Sequence, residues 1–123
     1  MADTAVHASR DWVSSPTSYV PAWGVPHFAF IVALLLPVPA RTTVWIVALV
    51  WMGAACLINA RRCGRAHCGF TGPYYLLMIA AVAVIGSGLV AAGFATWLAF
   101  AGLIILGSKL IWWLTERSFG KFR

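Results

Sequence analysis

The chain has 123 residues, 62% of them hydrophobic and only 10% charged, against about 25% charged in soluble proteins, so water is the wrong solvent for it. No Asp, Glu, Lys or Arg occurs between Arg65 and Lys109; as one helix that stretch would run roughly 65 Å at 1.5 Å per residue, far beyond a hydrocarbon core of about 30 Å, so it must cross twice. The net charge of +6 comes from nine Lys and Arg against three acids, and the cations gather in a short central segment and at the C-terminus, a pattern that orients a membrane protein and points away from nucleic acid.

In chain order, residues 1–21 are polar, carry Asp3 and Asp11 ahead of any apolar run, and predict a mobile or surface-lying segment with no cleavable signal. Trp12 and Tyr19 are placed at the interface there. The first apolar element covers about 23–38, with Trp23 as an interfacial anchor and Pro37 and Pro39 ending it, because each proline removes a backbone donor. It is short for a span: the fold class is an all-α polytopic bundle of four transmembrane helices, or three if this segment does not cross.

The second span covers 42–60, bounded by Arg41 and by Arg61 and Arg62. The third is expected over 73–92, opening at Pro73 with Thr71 as its cap, since a proline in the first turn loses no intrahelical bond. Gly93 is the expected turn, and the fourth span follows over 95–114, with Trp97 at one interface and Trp112 and Trp113 at the other. Lys109 lies one turn before that belt and can snorkel to the headgroups. Gly86, Gly88, Ala92, Ala95 and Ala99 give small faces on which the last two helices can approach. The transmembrane domain thus spans 22–117, with a basic tail at 118–123.

Chemistry concentrates in residues 61–73, read as a loop, where Cys63, His67 and Cys68 meet Arg61, Arg62 and Arg65. Two thiols and an imidazole form a soft ligand set suited to mercury or copper(I) ahead of zinc, which prefers four ligands. Cys56, seven residues before Cys63, falls on the same helix stripe about two turns, roughly 10 Å, deeper, as a relay would. Three cysteines give no paired disulfide framework. His7 and His27 stand alone in the sequence. Glu116 is the only acid near the loop, which supplies no acid–base pair and argues against an enzyme; its expected partner is Arg61, Arg62 or Arg65.

The run Arg62-Cys63-Gly64-Arg65-Ala66-His67-Cys68, then Thr71-Gly72-Pro73, and the closing Phe119-Gly120-Lys121-Phe122-Arg123 resemble a group of small bacterial inner-membrane proteins of no established activity. In size and in using membrane cysteines the chain is also similar to the small mercuric-ion transport proteins, from which it departs by lacking an adjacent cysteine pair in the first helix. The resemblance implies the bacterial inner membrane. The basic segments put both termini and residues 61–73 in the cytoplasm. The expected function is soft-metal handling; the other reading is a non-catalytic accessory subunit, or a homo-oligomer, in which Arg61, Arg62, Arg65, Lys121 and Arg123 grip anionic lipid of the bilayer or a partner complex.

Overall fold

A computed structural model of the chain describes residues 9–120; His7, Lys121 and Arg123 lie outside them. The described chain is an all-α bundle of four helices, each long and apolar enough to cross a membrane: α1 Pro16–Leu35, α2 Val38–Cys63, α3 Ala66–Gly86 and α4 Phe94–Phe119. A 3-10 turn, Trp12–Ser14, precedes α1. The architecture is that of a multi-pass membrane protein. Consecutive helices run antiparallel, and α2 and α3 share the largest interface.

All four helices start and end elsewhere than the sequence alone suggested. α1 begins at Pro16 and is a full-length span, because Pro21 and Pro26 do not break it. The missing donor of Pro21 is absorbed in a π-helical stretch, Val20–Gly24, the kind of local widening that re-satisfies freed backbone groups in membrane helices. Residues 11–13 are packed onto the bundle: Trp12 and Val13 lie against the core, and Asp11 is buried and caps the turn by accepting from the Val13 amide at 3.0 Å.

Residues 61–73 are not a loop. α2 continues to Cys63, Gly64 takes the left-handed conformation at φ 71° as its C-cap, and α3 starts at Ala66. Pro73 sits inside α3 and Thr71 is a buried helical residue rather than a cap. The proline is tolerated because its ring meets the carbonyl of the residue four back, which is the exposed Gly69.

At the far end, α3 stops at Gly86, and Gly88 turns the chain at φ 81°; Gly93 is only the N-cap of α4. Trp97 does not face outward from the bundle. It is buried, edge-on to Trp45 at 4.9 Å, and Trp45 stacks on Phe30 at 3.9 Å and donates its indole N–H to the Phe30 carbonyl at 2.9 Å. Arg41, also buried, caps the C-terminus of α1 by donating to the carbonyls of Leu34 at 2.9 Å and Leu36 at 3.0 Å, where the helix dipole is negative.

Small residues set helix contacts: between α3 and α4 it is Gly107, packed on Tyr74, that allows the close approach, and the backbones of α2 and α3 come closest at a glycine pair. Gly53 and Gly72 face each other so closely that a Cβ on Gly72 would lie 2.9 Å from Leu57 Cδ2 and 3.4 Å from the Gly53 carbonyl oxygen. Gly86 packs on Thr42 of α2 as well, while Ala95 and Ala99 of α4 are exposed. Without water to drive association, such close backbone approach supplies the packing that holds membrane helices together.

Candidate functional site: a buried thiol pair beneath an ion-pair cluster

The start of α1, the α2–α3 corner and the end of α4 meet at one end of the bundle. Helix α3 carries Arg65 at its N-cap and His67 and Cys68 in its first turn. The Arg65 guanidinium ties three segments together: it pairs with Asp11, ahead of α1, and its Nε donates to Glu116 Oε1 of α4 at 2.7 Å. Glu116 therefore does pair with one of the corner arginines. His67 Nδ1 lies 3.1 Å from the same Oε1, and the imidazole stacks on Trp112 with centroids 4.4 Å apart. Arg61 and Arg62 are exposed, and Arg62 covers the Trp12 ring at 5.0 Å.

The Asp11 side chain is fully shielded from solvent. Burial pushes its carboxyl up, but hydrogen bonds from Asn59, Ser14 and the Val13 amide, together with the Arg65 charge, outweigh that and hold it below the usual carboxylate range. Asp11 is thus the anion that Arg65 needs in order to be buried at the corner.

One layer deeper, Asn59 links this cluster to sulfur. Its Oδ1 accepts from the Trp12 amide at 2.9 Å, while Nδ2 donates to Asp11 at 2.8 Å and approaches Cys68 Sγ at 3.5 Å. Cys68 Sγ is also 3.5 Å from His67 Nε2. The neighbour of Cys68 is Cys56: the two thiols, on α3 and α2, lie close enough to interact electrostatically. Trp23 of α1, expected at the interface, is buried and donates its indole N–H to Cys56 Sγ at 3.3 Å.

The ligand set read from the sequence does not assemble. Cys63 turns away to donate to the Asn59 carbonyl at 3.1 Å, because the helical continuation of α2 puts it one turn beyond Asn59 rather than on a pliable loop. Among the described residues no group of three or more His, Cys, Asp or Glu side chains converges as a metal cluster. The fold instead places Cys68 beside Cys56, a separate relay position on sequence spacing alone. All three thiols are free and buried. His27 Nδ1 lies 2.6 Å from the Trp23 carbonyl oxygen.

Nothing in the sequence assigns Asp11, Trp23 or Asn59 to the site. Asn59 carried a usable signal, as the one carboxamide inside an otherwise apolar span, where a polar side chain must find a partner. The fold and site define a polytopic helical membrane protein with two neighbouring buried thiols under a buried ion-pair cluster. No family model, curated protein or solved structure matches the chain.

Proposed function

We propose that this protein handles a soft metal ion, copper(I) or mercury(II), at the Cys56–Cys68 pair in the bacterial inner membrane. The observation that carries the reading is the convergence of two thiols from different helices with nitrogen groups aimed at both sulfurs: Trp23 on Cys56, and Asn59 and His67 on Cys68. Two sulfurs suffice for a linear thiophilic ion, whereas a structural zinc would need four ligands. Donors around the sulfurs are the outer shell that orients ligands and disperses their charge. Among the described residues no carboxylate is hydrogen-bonded to either thiol, which supports a binding or transfer role over an enzymatic one.

Full-length protein in mild detergent is expected to bind one equivalent of copper(I) or mercury(II). Cys56→Ser and Cys68→Ser should each abolish stoichiometric binding, and Cys63→Ser should leave it intact. Binding that survives Cys56→Ser but needs Cys63 would overturn the assignment. If the wild type binds neither metal, the accessory-subunit reading takes its place. That reading is favoured by the wide apolar groove, about 670 Å³, lined by Trp12, Pro21, Val47, Trp51 and Ile58 along α1 and α2.

Orientation follows from charge. Among the described residues, Arg10, Arg61, Arg62, Arg65 and Arg117 sit at the thiol end, whereas the other end carries Arg41, already engaged by backbone carbonyls. The thiol end therefore faces the cytoplasm. A reporter fused after Arg123 should behave as cytoplasmic, and periplasmic behaviour would reverse the topology.

A further inference from the structure

Cys56 lines a cavity of about 20 Å³ inside the bundle; Cys63 and Cys68 do not. Thr71, Ser108, Lys109 and Trp112 wall it as well. It has room for about one water-sized group. Thr71 Oγ1 belongs to a residue only 3% exposed and has no hydrogen-bond partner. An orphan hydroxyl beside such an opening is satisfied when a polar atom enters.

The same Lys109 and Trp112 also line an outer groove of about 470 Å³, completed by Trp113, Glu116 and Arg117. They stand between groove and cavity, with Lys109 Nζ over the Trp112 ring at 4.7 Å. The groove is positive in effect. Lys109 and Arg117 are exposed, whereas the Glu116 carboxylate is already held by Arg65 and His67. A bare cation would be repelled here, and an anion drawn in.

Resting on the soft-metal reading, the geometry points to the form in which the ion arrives: a complex with small anionic thiols, docked in the groove and reaching Cys56 once the Lys109 and Trp112 side chains swing aside. Transfer is ligand exchange without change of oxidation state. The Cys56 thiol replaces one carrier thiolate on the metal and its proton leaves on the departing carrier as a thiol; Cys68 then displaces the second carrier in the same way. Cys56 is the receiving thiol and Cys68 the closing one.

The route is testable without metal. Full-length protein in neutral detergent is treated with two methanethiosulfonates of similar size, an anionic sulfonate and a cationic trimethylammonium, and the label is located by peptide mass spectrometry. Cys56 should be modified first, with the anionic reagent faster by about tenfold and its advantage shrinking as salt is raised. Lys109→Gln should reduce the preference and Lys109→Glu abolish or invert it, with helicity checked by circular dichroism. The salt series on wild type needs no variant. Equal rates, faster cationic labelling, an unreactive Cys56, or earlier labelling of Cys63 or Cys68 would overturn the route. So would loss of the preference when anionic phospholipid is added with protection of Cys56, which would make a lipid headgroup the occupant. A protein that shows the preference but binds no metal sinks the proposed function and not the anion path; metal binding without the preference sinks the path alone.

Discussion

Arg65→Ala should lower the unfolding free energy by about 3–5 kcal/mol, the cost of leaving a buried charge without its partner. The Asp11 side chain has no exposure and that of Glu116 only 24%, so removal of the guanidinium leaves two anions facing one another where one cation had bound both. Denaturant unfolding in mild detergent measures the loss. Arg62→Ala is the control: Arg62 is exposed and only covers Trp12, so it should cost no more than about 1 kcal/mol. Asp11→Asn added to Arg65→Ala should recover part of the loss, since the amide needs no counter-charge. An Arg65→Ala protein as stable as Arg62→Ala would show that the cluster does not hold the corner.

Gly72→Leu should cost about 1–3 kcal/mol through overpacking. A Cβ alone at Gly72 would stand 2.9 Å from Leu57 Cδ2 and Cγ; the flexible leucine can yield to a methyl group, but a branched side chain must push α2 and α3 apart. Gly72→Ala should therefore be milder. Gly102→Leu serves as control, because nothing lies within 4 Å of its Cβ position. The consequence reaches the site, since Gly72 is one turn beyond Cys68 on the same helix. Splaying α2 from α3 there separates Cys68 from Cys56, so Gly72→Leu should weaken metal binding while both thiols remain. Equal stability of Gly72→Leu and Gly102→Leu would discount the glycine contact.

The sequence by itself determined the solvent and the class. A stretch from Arg65 to Lys109 without a charge has only one low-energy environment, and the 30 Å scale of the bilayer divides it into two spans. Most of its cations gather around residues 61–65 and at the C-terminus, and Glu116 among them needs a cation nearby. Helix boundaries were less legible: Pro73 has the local chemistry of a helix start, yet it lies inside α3, as Pro21 and Pro26 lie inside α1, because in a bundle surrounded by lipid the backbone must keep its hydrogen bonds internal and adjusts around each proline.

Only the tertiary structure decided which thiol meets which. Spacing favoured Cys63 with Cys68, five residues apart, over Cys56 with Cys68, twelve apart. The outcome turned on one backbone feature: Gly64 in the left-handed conformation ends α2 and lets α3 start almost at once. The hairpin then folds back with Gly53 against Gly72, and that register brings Cys56 level with Cys68 while Cys63 bonds to its own helix. Asp11 was equally hidden, since its partner Arg65 lies 54 residues away; a carboxylate in a polar N-terminal stretch reads as solvated until the fold shows that a buried guanidinium has taken the place of water.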